Sequence, residues 1–167
     1  MTFRSNFQAT VDARGRLKVP ARFRDILRRE YGGKLFITCL YRNGECAQVY
    51  PLPLWERFEK RLARVPPTEP ARRIVEDAAN YYGLESDMDK QGRALISQVL
   101  RKKASIEGRE VWVIGKNDHL DVWNRGLYEA TRRVNDPVAD LAAHEKLAQY
   151  GVWDDDGDAD GGNKHDA

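Results

Sequence analysis

The 167-residue chain has only two cysteines and three histidines. That scarcity excludes much chemistry. There is no C-x-x-C, and His119, His144 and His165 stand apart with no second ligand at metal spacing, so no metal site is expected. Cys39 and Cys46 flank Asn43-Gly44, the dipeptide of a tight hairpin turn. A two-residue loop there sets Cys46 opposite Tyr41 and Cys39 opposite Gln48. The thiols are then diagonal neighbours, poorly placed for a disulfide, and read as reduced core thiols. Long apolar runs are also missing. None approaches the ~20 residues of a membrane span, and "MTFRSNFQAT" lacks the apolar stretch of a signal peptide. The expectation is a cytoplasmic protein with no membrane partner. No nucleophile–base pairing or phosphate loop is legible, which argues against an enzyme, a cofactor or a small-molecule substrate. The run "DDDGD" lacks the closing Glu of a calcium loop.

What the chain does have is a phrase written twice. Asp12-Ala13-Arg14-Gly15-Arg16 returns as Asp89-Lys90-Gln91-Gly92-Arg93, 77 positions later. Each copy opens a basic segment. Residues 12–29 hold seven bases against Asp12 and Asp25, and residues 89–109 hold six against Asp89 and Glu107. The formal net charge of +2 hides this, because six of the acids lie in residues 151–167. Without that tail, residues 1–150 carry +7. Basic clusters of this kind attract polyanions; a solvated charged face would give the same count.

The spacing around each phrase also repeats. "FQATV" (7–11) and "RLKV" (16–19) read as a hairpin around a turn at Asp12–Gly15. Asp accepts backbone N–H bonds at such a turn, and Gly15 takes its left-handed position. Pro20 starts a helix over "ARFRDILRREY", closed by Gly32-Gly33. "KLFITCLYRNGECAQVYPLP" reads as a second hairpin. Leu54, Trp55, Phe58 and Leu62 form the apolar stripe of a helix stopped at Pro66-Pro67. Thr68 is the expected cap of the next helix, "EPARRIVEDAANYY", which Gly83 ends. Then the order restarts: strand "LESDM", turn Asp89–Gly92, strand "RALI", helix "SQVLRKKASI", hairpin "REVWVIGKNDHLDVW", helix "NRGLYEATRRV".

Four short strands rarely bury a core alone, so the two copies are expected to share one, with an internal pseudo-two-fold axis. Trp55, Phe58, Trp112 and Trp123 read as core rather than base-stacking platforms. The assigned segments are a first repeat over 3–66, a linking helix over 67–83, a second repeat over 84–134 and a C-terminal helix over 135–153, spanning about Pro137 to Tyr150. Residues 154–167 form an acidic tail with no aliphatic side chain larger than alanine, and they read as disordered.

"DARGRLKVPARFRD" (12–25), "GGKLFIT" (32–38), "VYPLPLWERFEKRLARVP" (49–66) and "MDKQGRALI" (88–96), with the duplicated layout, resemble the MraZ family of bacterial transcription regulators over roughly residues 3–134. The resemblance implies an α+β, β-rich fold: two tandem AbrB/SpoVT-like swapped-hairpin half-barrels forming a pseudo-two-fold β-barrel with flanking helices. It implies a nucleoid-associated ring homo-oligomer of eight or more chains on double-stranded DNA. The ring binds tandem short repeats at the promoter of its own gene and the adjacent cell-division and cell-wall cluster. It also implies function for Asp12 and Arg16, and for Asp89 and Arg93.

Arginine's planar fork grips phosphate or guanine bidentately. Arg14, Arg16, Lys18, Arg22 and Arg93 are therefore the candidate DNA-binding side chains. Asp12, Gly15, Asp89 and Gly92 shape and orient the turns. Where the family's second copy has a proline, this chain has Ser97, so a less rigid second helix start is expected. A protein-binding dimeriser would share the fold, and salt-dependent DNA binding separates the two readings.

Overall fold

The structure is a computed structural model that describes residues 2–40, 45–131 and 136–154. The Asn43-Gly44 turn and the acidic tail beyond Asp154 lie outside these residues. The chain divides into two compact units, Met1–Arg132 and Arg133–Ala167.

In the first unit the order strand–strand–helix–strand–strand–helix occurs twice. The first pass is β1 (Asn6–Thr10), β2 (Arg16–Lys18), α1 (Ala21–Tyr31), β3 (Lys34–Thr38), β4 (Ala47–Pro51) and α2 (Leu52–Leu62). Helix α3 (Pro70–Tyr82) follows. The second pass is β5 (Leu84–Asp87), β6 (Arg93–Leu95), α4 (Gln98–Lys103), β7 (Glu110–Gly115), β8 (Leu120–Asn124) and α5 (Arg125–Thr131). Gly32 and Gly33 end α1 in the left-handed region, where a side chain would be strained. Helix α3 is capped by Glu69, whose carboxylate accepts from Ala71 N–H at 3.2 Å, rather than by Thr68. A cap one residue later puts Pro70 at the first helical position, where its missing N–H costs nothing.

The strands do not close into the expected barrel. Six form one antiparallel sheet, β1-β7-β8-β4-β3-β5, and β2 and β6 form a separate ribbon. The expected first hairpin also opens. Around Asp12–Gly15 only Val11 and Leu17 bridge, after which β1 pairs with β7 and β2 with β6. Likewise β5 pairs with β3. Each pass therefore lends its first strand to the other's hairpin. β2 is short because Val19 is followed by Pro20, which has no N–H for a ladder.

This exchange builds one core from both passes. Leu17 sits opposite Ala94 in the ribbon, and both are fully buried with Val19, Phe23, Leu27, Ile96 and Leu100. Phe23 meets Phe7 edge-on at 5.2 Å. A smaller cluster stacks Trp55 of α2 on Phe36 at 4.6 Å. Trp55 and Trp123 are buried as expected, while Phe58 and Trp112 are half-buried, Trp112 beneath the Arg125 guanidinium.

In β3–β4, Thr38 faces Gln48, one residue from the expected register. Cys39 and Cys46 are buried, reduced thiols.

The second unit contains α6 (Pro137–Ala148). Asp136 caps it by accepting from Ala139 N–H at 3.1 Å, and His144 stacks on Trp153 at 5.2 Å. No helix among the described residues is long and apolar enough to cross a membrane.

Candidate nucleic-acid interface

The two D-x-x-G-R turns have the same internal wiring. In the first, Asp12 Oδ1 accepts from the N–H groups of Arg14 and Arg16, both at 2.9 Å. Gly15 N–H donates to the Asp12 carbonyl at 3.0 Å, and Asp12 N–H to the Arg16 carbonyl at 2.9 Å. The other carboxylate oxygen, Oδ2, accepts from Arg16 Nε at 3.2 Å. In the second, Asp89 Oδ1 accepts from Gln91 and Arg93 N–H at 2.9 Å each, and Oδ2 accepts from Arg93 Nε at 3.0 Å. One oxygen closes the turn and the other aims the arginine. The hydrogen bond from the backbone N–H of the turn arginine is the largest influence holding each carboxyl below the usual Asp range, partly offset by loss of hydration. Gly15 and Gly92 hold φ of +84° and +77°, the left-handed conformation that closes each turn.

The ribbon sets the turns side by side. Lys18 pairs with Arg93, and Arg16 with Leu95. Arg16 Nη1 consequently lies 3.9 Å from Asp89 Oδ2. Arg16, Asp12, Asp89 and Arg93 thus form one cluster, with both arginines about a quarter exposed (26% and 28%). Each Nε is occupied by its own Asp. Arg14 and Arg22 are exposed, on the first turn and on α1. Lys18 is also exposed, but its ammonium donates to the Gln91 carbonyl of the second turn.

Sequence reasoning missed three arginines here. Arg28 Nη2 donates to the carbonyls of Asp89 at 2.8 Å and Lys90 at 3.2 Å. Arg24 of α1 lies against Gly92, and Arg101 of α4 against Gly15. Arg24 and Arg101 are themselves 77 positions apart, a signal available in the sequence. Ser97 caps the second helix, as Pro20 precedes α1. It accepts from Leu100 N–H at 3.4 Å and donates to the Tyr82 carbonyl at 2.6 Å. A hydroxyl bonded on both sides caps the second helix and ties its start to the end of α3.

Among the described residues no group of three or more His, Cys, Asp or Glu side chains is placed to hold a metal ion. The site offers cationic forks on a two-stranded ribbon, which suits recognition of an anionic polymer.

Comparison with known proteins agrees with that chemistry. The family model for the MraZ protein matches residues 2–78 and 84–146, so the likeness runs further along the chain than residue 134. A transcriptional regulator MraZ from Acidobacterium capsulatum is 38% identical over 150 residues, covering 90% of this chain and 99% of its own. The one from Koribacter versatilis is 41% identical over 122 residues, covering 73% and 82%. That of Acidithiobacillus ferrooxidans is 36% identical over 131 residues, covering 77% and 86%. These relatives are named as regulators of transcription, not as enzymes. With its two matched segments and a relative aligned along nearly its whole length, the chain belongs to the MraZ family.

Proposed function

We propose that this protein is a sequence-specific DNA-binding transcription regulator. Its target is the promoter of its own gene and the adjacent cell-division and cell-wall cluster. Two AbrB-like repeats, 3–66 and 84–134, joined through 67–83, present the paired turns. A ring of eight or more chains repeats that pair, so tandem short DNA repeats are gripped in register. Affinity then comes from multivalency rather than from one large interface. The protein works in the cytoplasm on nucleoid DNA and needs no cofactor.

The observation that carries this reading is the juxtaposition of Arg16 and Arg93 on one ribbon, each with its Nε held by an Asp. Holding Nε leaves the Nη groups for a phosphate or for guanine O6 and N7. The Asp side chains orient the forks rather than contact DNA, since a carboxylate near phosphates repels. Arg14 and Arg22 add charge beside the first turn, and Lys18 adds it beside the second.

The deciding experiment is to incubate the protein with fragments of its own genome and sequence the DNA retained. Tandem short repeats upstream of its own gene are expected. Titration of those repeats at several salt concentrations should show affinity falling steeply with salt, as phosphate neutralisation requires. Random fragments retained with no enrichment, or binding without a salt slope, would overturn the proposal and favour a protein-binding module.

A further inference from the structure

The two turn glycines are crowded in a way the turn geometry does not require. A Cβ on Gly92 would fall 2.5 Å from Arg24 Cδ and 3.0 Å from its Nη1. A Cβ on Gly15 would fall 2.6 Å from Arg101 Nε and still closer to Cζ and Nη1. Each guanidinium thus lies across a glycine, and any side chain would push it away. The crossing is reciprocal between the repeats. Arg24 belongs to α1 of the first pass and covers the second turn; Arg101 belongs to α4 of the second pass and covers the first.

The backbone repeats the exchange. Val19 N–H donates to the Gly92 carbonyl at 2.9 Å, and Ile96 N–H to the Gly15 carbonyl at 3.0 Å. Arg101 is 91% buried, donates to the Ile96 carbonyl and reaches Glu107 at 3.5 Å. The Nε atoms of Arg24 and Arg101 are buried with no hydrogen-bond partner among the described residues. A buried N–H without a partner is costly, and it recurs at both symmetric positions. Arg101 is buried and Arg24 half-buried.

We propose that Arg24 and Arg101 are positioning residues that aim the DNA-facing arginine of the opposite repeat. Arg24 sets Arg93 through Gly92, and Arg101 sets Arg16 through Gly15. The carbonyl of each turn glycine is held by a backbone N–H of the other repeat, and an arginine side chain of that repeat occupies the space where a Cβ would stand. Each fork, held by the Asp of its own turn, is then also set from the opposite repeat, and the two forks are aimed as a pair. The inference rests on the DNA-binding reading of Arg16 and Arg93, but it has a consequence that needs no DNA.

The test uses the full chain, labelled with 15N arginine. The Arg16 and Arg93 Nε–H signals, each bonded to an Asp, report the aim of the forks. Arg24→Ala should shift or broaden the Arg93 signal more than the Arg16 signal, and Arg101→Ala the reverse. Where an alanine variant fails to fold by circular dichroism, Arg→Lys replaces it, keeping stem and charge but not the flat face. Effects confined to the same repeat, or absent, overturn the proposal.

On DNA carrying the retained repeats, each alanine variant should lose about tenfold in affinity, the scale of one bidentate contact. The Arg24→Ala/Arg93→Ala double variant should lose no more than its worse single, whereas Arg24→Ala and Arg16→Ala should multiply. Multiplication in both pairs overturns positioning and makes Arg24 a direct contact. If Arg16→Ala and Arg93→Ala leave DNA affinity unchanged, the DNA-binding reading falls, and the Nε–H signals alone decide the positioning.

Discussion

Asp89 serves two arginines from two repeats with one oxygen. Its Oδ2 accepts from Arg93 Nε at 3.0 Å and stands 3.9 Å from Arg16 Nη1. Asp12 Oδ2 pairs with Arg16 Nε at 3.2 Å, and no ion pair between Asp12 and Arg93 occurs among the described residues. The two aspartates look equivalent in sequence but are not equivalent in space. Asp89→Ala should loosen both forks, and Asp12→Ala only one. In mobility-shift titrations on tandem-repeat DNA, Asp89→Ala should lose more affinity than Asp12→Ala, by about threefold or more, a fraction of one bidentate contact. Equal losses would mean that each Asp serves its own turn alone.

Acid should weaken the turns before the core. Both carboxyls are held below their ordinary value, first by the N–H of Arg16 or Arg93. A group with a depressed folded pKa contributes stability that is present above its unfolded value and lost as pH falls through the folded one. For Asp that window opens near pH 4 and extends downward. Thermal melts between pH 7 and pH 2.5 should show the midpoint falling below pH 4, with a shallower fall in the Asp12→Asn/Asp89→Asn variant. Both side chains are more than a third exposed, so solvent screening keeps the effect small.

The elements set by local chemistry were legible in the sequence. The D-x-x-G-R turn was readable, including an Asp that accepts backbone N–H bonds, because Asp followed by a left-handed glycine leaves little choice; the donors were expected two or three residues on and lie two and four residues on. The helix stripe of Trp55 and Phe58 was equally plain. Strand partners were not. Alternation in "FQATV" says which face is buried, not which strand lies alongside, so β1 looked like the partner of β2 when it belongs to β7. The bond that Ser97 makes was not legible either, since its acceptor is the Tyr82 carbonyl, 15 residues away. Arg24 and Arg101 were invisible singly, since an arginine on an amphipathic helix usually faces water. Only their recurrence at the turn spacing marked them.

A histidine at the far end of the sheet should make stability fall with rising pH. His119 stacks on Tyr50 at 4.6 Å, with Nδ1 2.7 Å from Asp118 Oδ1 and Nε2 3.2 Å from Asp121 Oδ1. Lys116 Nζ is 4.0 Å from Asp121 Oδ2. Burial opposes the charged ring, but the hydrogen bonds and charges of Asp121 and Asp118 together outweigh it, and the pKa is raised above 6.5. Stability from a raised folded pKa is fully present below the unfolded value and lost as pH climbs through the folded one. The melting midpoint should therefore drop between pH 6 and pH 8.5, and His119→Gln should remove most of that drop. A midpoint that rises over this range would contradict the assignment.

The cysteines should be inert while the protein is folded. The hydrogen bond to Cys39 and then burial push the Cys46 thiol far above the ordinary thiol range. Since the thiolate is the nucleophile, iodoacetamide at pH 8 should label neither residue until denaturant is added. Labelling at native conditions, read by mass spectrometry, would show that the β3–β4 end opens.

The two turn arginines should differ in what their loss costs. The second turn has its carbonyls covered by Lys18 and Arg28, so cations of the first repeat are engaged in holding it. The first turn has exposed Arg14 on the turn itself, with Arg22 exposed on the helix that follows β2. Arg16 is also the fork that touches both aspartates. It is better fixed and has more charge near it in the chain. Arg16→Ala should therefore cost more affinity for tandem-repeat DNA than Arg93→Ala. One bidentate base contact is worth about 1–3 kcal/mol per site, and the loss should multiply around a ring. The variants should be compared by mobility shift, with assembly followed separately by mass measurement in solution. If Arg16→Ala assembles normally and binds the repeats as tightly as the parent, D-x-x-G-R is written twice for the sake of the turn, and the DNA contact lies elsewhere on the ribbon.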